Sequence, residues 1–340
     1  MASWVVGSAD RAGTGDLMKP TLLEFLACPA CGDTLHVPTA SGRKPQTQEV
    51  LRCGDCGAEY PVINGIPRFV ATDGYARSFS VEWTRFRTTQ LDSAREWTLS
   101  EDRLQQSLDF PLAELRGKRV LDAGCGMGRF AEIVAKYGGT VVGVDLSYAV
   151  DVAARNLSRW EDVHIVQADL RHLPFQPESF DLIYSLGVLH HTPDPQGTFQ
   201  RLLPFLKPGG KISITVYSAY NTVYVASTTL WRRLTTRLPR RLVYYLSHLA
   251  IPLYYVYRLP IIGLIGKGLW PISLEPDAEC RLLDTFDCYS PTYQFYYTHP
   301  EVYRWFHGAG LTEIGVLEPG ISFIGTRPGA FIAEPSLSVR

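Results

Sequence analysis

Cysteine is scarce in this chain, at seven in 340 residues, too few for a disulfide scaffold. Excess charge of either sign is also missing. With 33 Lys and Arg against 34 Asp and Glu, the chain is neither a disordered acidic or basic protein nor a polycation built to coat nucleic acid. No internal repeat or low-complexity tract interrupts it. The opening MASWVVGSADRAGTGDL has no basic stretch followed by an apolar one, so a cytoplasmic, reducing environment is expected. The uncharged run from Leu242 to Tyr257 is 16 residues, holds His248 and Pro252, and stops at Arg258. It falls short of the roughly 20 apolar residues that span a bilayer.

One absence is local. From Pro195 to Leu274 there is no Asp or Glu, while ten Lys and Arg occur there, interleaved with Tyr and Trp. A chain of this length holds about two domains at roughly 100–200 residues each, and its punctuation divides it further. Residues 1–20 are Gly-, Ala- and Ser-rich without an apolar period and are expected to be a mobile leader. Residues 21–70 carry short apolar runs among Cys and Gly, which suits a small ribbon of short strands. Residues 71–117 hold Phe79, Trp83, Phe86, Trp97, Leu104 and Leu108 at loosely helical spacing and read as connecting helices.

From Lys118 the pattern alternates. Strands are expected at Lys118–Leu121, Thr140–Val144, Val163–Gln167, Phe180–Leu186 and Lys211–Tyr217, with helices at Arg129–Lys136, Tyr148–Leu157 and Pro195–Leu206. This rhythm gives an α/β fold, a parallel sheet with helices on both faces. Residues 218–280 read as a helical lid insertion, after which the domain resumes at 281–332 with a helix at His299–His307 and a closing hairpin, Ile314–Leu317 and Ile321–Thr326.

Cys28-Pro-Ala-Cys31 and Cys53-Gly-Asp-Cys56 are two CxxC pairs separated by 21 residues. Each can present two thiolates to one tetrahedral Zn²⁺, with Gly32 and Gly57 permitting the tight turns, and four sulfurs leave no open position for catalytic water. A structural zinc is expected, with redox dithiols as the alternative. Cys125, Cys280 and Cys288 lack metal-ligand spacing and read as small buried residues. The segment with CPAC and LRCGDCGAEYPVINGIPRF resembles the zinc-ribbon family that activates tRNA and translation-factor methyltransferases.

Val120-Leu121-Asp122-Ala123-Gly124-Cys125-Gly126-Met127-Gly128 ends a strand and opens a helix. Its glycines let an anionic group approach backbone N–H donors at the helix start. Asp145 lies 23 residues beyond Asp122 at the next strand end, where a carboxylate can accept both hydroxyls of a ribose, and Asp169 ends the third strand, within reach of an adenine amino group. The spacing is G-x-G-x-G and not the G-x-G-x-x-G of dinucleotide dehydrogenases.

With SFDLIYS, VLHH and LKPGG further on, this set resembles the class I S-adenosylmethionine-dependent methyltransferases, of the ubiquinone-biosynthesis type. The resemblance implies a Rossmann-like sheet with S-adenosylmethionine as cofactor. It also implies Gly124, Gly126 and Gly128 at the methionine portion, Asp145 at the ribose, Asp169 and Leu170 flanking the adenine, Leu186 and Gly187 beside the sulfonium, and Asp122 and Leu146 among the cofactor-binding residues.

His190 and His191 sit just past the fourth strand, and either can act as a base or serve a structural part. Asp287 and Tyr289 are the acceptor-binding candidates. The expected acceptor is a small apolar or amphipathic molecule in a cavity walled by Ser218–Leu274 and Asp284–Tyr297. RNA methylation and a noncatalytic adaptor role are the alternatives. The basic aromatic insertion leaves open a lid, a peripheral membrane contact, an oligomer contact or RNA binding.

Overall fold

The computed structural model describes residues 17–38, 49–318 and 320–329. Near the N-terminus β1 (Leu35–His36), β2 (Glu49–Cys53), β3 (Glu59–Ile63) and β4 (Ile66–Pro67) form an antiparallel ribbon in that order. Strands of two to five residues bury little by themselves. The ribbon borrows its core from the larger domain: Phe25 stacks on Phe180 at 5.6 Å, and the Ala27 N–H donates to Pro174 O at 2.9 Å. Arg68 Nη1 donates to Gln167 Oε1 at 3.0 Å.

Residues 1–16 of the expected leader lie outside the described residues. The rest of it is docked, not mobile. Met18 is buried, and Lys19 Nζ donates to the carbonyls of Trp160 and Val163 at 2.7 and 2.9 Å.

Three short helices follow: α1 (Arg77–Arg85), α2 (Asp92–Arg95) and α3 (Leu99–Gln106). The larger domain then alternates β5 (Arg119–Ala123), α4 (Arg129–Lys136), β6 (Thr140–Asp145), α5 (Ala149–Asn156), β7 (Val163–Gln167), β8 (Phe180–Leu186), α6 (Pro195–Leu202) and β9 (Leu206–Val216). The expected helix to Leu206 stops at Leu202 because Pro204 and Pro208 cannot continue it. β9 therefore starts at Leu206, five residues earlier than expected.

After β9 come α7 (Thr222–Thr235), α8 (Arg240–Ser247), α9 (Ala250–Val256), α10 (Pro260–Leu269), α11 (Ala278–Tyr289) and α12 (His299–Gly308), then β10 (Thr312–Leu317) and β11 (Ile321–Thr326). The strands form one seven-stranded sheet, ordered β10-β11-β9-β8-β5-β6-β7. β5 pairs in parallel with both β6 and β8, whereas β11 runs antiparallel to β9. The order reverses beside β5, so the crevice above its carboxyl end is the natural ligand position. Val120, Leu121, Val142, Ile183 and Ile214 are fully buried, as strands covered on both faces require.

The expected domain boundary at 280/281 falls inside α11. Its Phe286, Cys288 and Tyr289 pack on Val243 of α8, so the insertion continues to the end of that helix. Residues 330–332 of the expected domain lie outside the described set.

Candidate functional sites

Beneath the ribbon turns the four expected cysteine sulfurs lie within 4.8 Å of one another. Cys28 and Cys56 Sγ are 3.7 Å apart, and Cys31 and Cys53 Sγ are 3.4 Å apart. A tetrahedral zinc with sulfurs at about 2.3 Å needs edges of about 3.8 Å, so the donor set fits the metal. Cys125, Cys280 and Cys288 are buried elsewhere, as expected.

The second site is a cavity of about 470 Å³ at the carboxyl ends of β5, β6 and β8. That is within the roughly 300–1,000 Å³ of pockets that enclose small ligands. Gly124 and Gly126 line it, with Leu146, Leu170, Leu186 and Gly187. Gly124 has φ +96°, and a Cβ there would come within 2.4 Å of Val188 Cγ1. Gly128 differs from expectation. It does not reach the cavity, and its missing Cβ makes room for Leu157 Cδ1, 2.6 Å from where the Cβ would stand.

Asp145 lines the cavity. Its Oδ2 accepts from Gly126 N at 3.0 Å, and its Oδ1 accepts from Ser147 N and Oγ at 2.8 and 2.6 Å. A carboxylate offers about four lone-pair positions, so about one remains for a ribose hydroxyl unless Ser147 turns away. Burial raises the Asp145 carboxyl above its ordinary value, and the Ser147 and Gly126 donors partly oppose it.

Two expected cofactor carboxylates do not face the cavity. Asp169 is engaged by Arg171, whose Nη2 donates to Oδ2 at 2.7 Å. Burial pushes that carboxyl up, but the Arg171 contacts outweigh burial and hold it low. Asp122 lies below the loop, 2% exposed, with an unpartnered Oδ2. Burial pushes it up to about 7, with Asp145 adding to the rise and Arg129 opposing it.

Because this pKa is raised on folding, the native state binds the extra proton and stability declines as pH climbs from about 4 to about 7. Asp122→Asn is expected to melt like the native chain near pH 4 and to gain roughly 2–4 kcal/mol above pH 7. Thermal unfolding at both pH values checks it. An equal offset at both would refute the burial argument.

The histidines divide. His190 is fully buried, packs against the tilted Tyr217 ring at 3.8 Å between centroids and has no partner for either ring nitrogen among the described residues. It does not line the cavity. His191 does line it. Its Nδ1 lies 2.9 Å from Tyr293 O, which leaves Nε2 as the acceptor, buried and unpartnered. Burial lowers its pKa, so the ring is neutral at physiological pH.

Asp287 also lines the cavity, its Oδ2 accepting from Tyr217 Oη at 2.7 Å while Oδ1 is unpartnered. Tyr289 does not. Two positions along a helix turn a side chain by about 200°, and Tyr289 Oη donates to Pro271 O at 2.5 Å inside the insertion.

Of the two expected wall segments, Asp284–Tyr297 contributes Asp284 and Asp287, and the other does not contribute. No residue of Ser218–Leu274 lines the cavity, because α11 stands between; Tyr75, Phe79 and Trp83 of the N-terminal segment take their place. The sequence reading also missed the polar lining from Glu82, Arg103 and Arg129, which joins Asp284 of the expected wall. Glu82 is 1% exposed with Oε2 unpartnered, and burial, then Asp287 and Asp284, raise its carboxyl well above the ordinary value. Arg103 has no ion pair among the described residues and can meet a carboxylate. A ligand with a carboxylate, a cation and a ribose fits these groups, as S-adenosylmethionine requires.

The family model described as "Methyltransferase domain" matches residues 121–214, and that described as "Trm112p-like protein" matches residues 19–65. A ubiquinone biosynthesis O-methyltransferase of Coxiella burnetii is 38% identical over 100 residues, covering 29% of this chain and 43% of that protein. The chain spans about half the length of the curated relatives it matches. Among solved structures, an S-adenosylmethionine-dependent methyltransferase from Mesorhizobium loti is 30% identical with a TM-score of 0.32, covering 38% of this chain and 57% of that one. A chain of the complex between the Haloferax volcanii Trm112 methyltransferase activator and a methyltransferase is 17% identical with a TM-score of 0.44, covering 74% and 97%. The chain therefore carries a methyltransferase domain over residues 121–214 behind a Trm112p-like ribbon over residues 19–65, whose four cysteines are placed to hold a zinc.

Proposed function

We propose that the chain is an S-adenosylmethionine-dependent methyltransferase whose acceptor is a small amphipathic molecule bearing a hydroxyl or amine at its reacting end. The observation that carries the reading is the cavity beside the glycine loop, lined by buried polar atoms without a hydrogen-bond partner among the described residues: Glu82 Oε2, Asp287 Oδ1 and His191 Nε2. Buried polar atoms without partners are costly unless a ligand meets them. Phe79, Trp83, Phe130 and Leu283 supply apolar walls for the rest of the acceptor.

S-adenosylmethionine supplies an electrophilic methyl, transferred as its carbon–sulfur bond breaks with the electron pair left on sulfur. The chain's task is to hold the acceptor in line behind that carbon and take the acceptor's proton. Asp145 and the Gly124–Gly126 loop hold the nucleoside end, and Arg103 the methionine carboxylate. Glu82 and Asp287 orient the acceptor's O–H or N–H, and His191 Nε2 receives the proton.

The ubiquinone O-methyltransferase relatives support a small-molecule acceptor. The Trm112p-like match gives the RNA alternative its support. Against RNA stands the lining itself, since Asp284, Asp287 and Glu275 repel a polyanion at the point of reaction.

S-adenosylhomocysteine is expected to bind in calorimetry, and methyl from labelled S-adenosylmethionine is expected to pass to small phenols or amines. His191→Asn should lower turnover by about 10²-fold or more, as loss of a general base does. Its affinity for S-adenosylhomocysteine should stay within about threefold, since that contact belongs to other residues. Absence of binding ends the methyltransferase reading; an unaffected His191→Asn ends the base assignment alone.

A further inference from the structure

Residues 218–274 of the basic insertion do not line the cavity, and their outer surface is apolar. α10 is seated with its small residues inward: a Cβ on Gly263 would come within 2.0 Å of Tyr257 O, and one on Gly266 within 2.4 Å of the Tyr257 ring. Its bulky residues point out. Ile261 is 76% exposed, Leu264 77%, Ile265 56% and Leu269 68%. α10 is tied to α7, where Ser227 Oγ and Trp231 Nε1 donate to Leu269 O at 3.0 and 2.7 Å. α7 carries an exposed stripe of its own, Val223, Leu230 and Leu234, which helical spacing puts on one face. A monomer rarely exposes so continuous an apolar surface unless something covers it.

The charges say what that is. Arg233 and Arg237 adjoin the α7 stripe, and Arg258 and Lys267 adjoin and lie on α10; all four are exposed. None forms a salt bridge among the described residues. No Asp or Glu occurs between Pro195 and Leu274 to compensate them. A second copy laid on this face would set cations against cations. An anionic bilayer surface takes the apolar side chains into its headgroup–acyl boundary and neutralises the cations at its phosphates. No helix among the described residues is long and apolar enough to cross a membrane, so the contact is a surface one.

We propose that α10, with the adjoining α7 stripe, docks the protein on an anionic membrane surface. Ile261 and Leu264 enter the interface, and Lys267 and Arg258 meet lipid phosphates. This inference does not rest on the acceptor assignment, because its readout is vesicle binding.

Flotation of the full chain with vesicles of phosphatidylglycerol in phosphatidylcholine is expected to capture it, and pure phosphatidylcholine at least about tenfold less. Lys267→Gln should weaken capture about fivefold, the effect of one cation near an anionic surface. The double variant Ile261→Asp, Leu264→Asp should abolish it while keeping the native melting temperature and S-adenosylhomocysteine affinity, so misfolding is separated from lost docking. No capture by the native chain, equal capture by neutral vesicles, or capture unchanged in both variants overturns the proposal. So does a native dimer in sedimentation equilibrium that Leu264→Asp dissolves, which assigns the face to a second copy.

Discussion

Removing zinc from the loaded protein, or replacing Cys53 with serine, is expected to unfold the ribbon and to destabilise the methyltransferase domain with it. Apparent binding free energies at structural zinc sites are about 10–16 kcal/mol, and that energy is folding energy. The ribbon strands are too short to hold without it. Damage spreads because the interface is a shared core: Leu22, Phe25, Leu26, Leu51 and Val62 belong to the same buried cluster as Val142, Phe175 and Phe180. Losing the ribbon exposes the Phe175 and Phe180 surface and unties Gln167, at the end of β7, from Arg68 and Phe69. Hydrogen exchange should therefore show protection lost across residues 22–38 and 49–67 and reduced along β7, with about one zinc per chain in the native protein. A metal-free chain with native protection in the ribbon would refute it.

How far the sequence could be read follows from the range of each signal. β7 and β8 appear at the expected residues because each is an apolar run closed by polar or turn-forming neighbours, a local feature. The capping box at Thr298 and Glu301 is realised, with Thr298 N donating to Glu301 Oε2 at 2.8 Å. The zinc set was legible because two CxxC pairs carry their own geometry. α11 was misdivided although its cap is visible in sequence: Asp277 Oδ1 accepts from Glu279 and Cys280 N.

The cavity was illegible for a different reason. Glu82 sits on α1, and nothing near it in sequence announces that it will face Asp287. Phe79 and Trp83 beside it read only as part of a connecting helix. Of the paired candidates, geometry admits one each. Asp287 and Tyr289 lie on opposite sides of a helix, and His190 and His191 are adjacent in a single 3-10 turn with ring centroids 4.1 Å apart, of which only His191 lines the cavity.

Asp145→Ala is expected to weaken S-adenosylhomocysteine binding by roughly 1.5–3 kcal/mol, about ten- to 150-fold, the loss of a buried charged acceptor. The effect has two sources. The lone pair left for the ribose disappears, and Gly126 N, Ser147 N and Ser147 Oγ lose the carboxylate that fixes the loop. Stability should move differently. The Asp145 charge is penalised by burial, as its raised pKa records, so removing it offsets part of the lost hydrogen bonding and the unliganded melting point should change little. Affinity falling without comparable loss of stability distinguishes a binding residue from a strand-end structural one. Acid gives the same signature in the native chain: as pH falls, Asp145 protonates earlier than an ordinary aspartate and ribose acceptance weakens, a decline absent from Asp145→Ala. Calorimetry on both proteins across pH 4 to 8 reads it. Equal affinity in the two at neutral pH would remove Asp145 from the site.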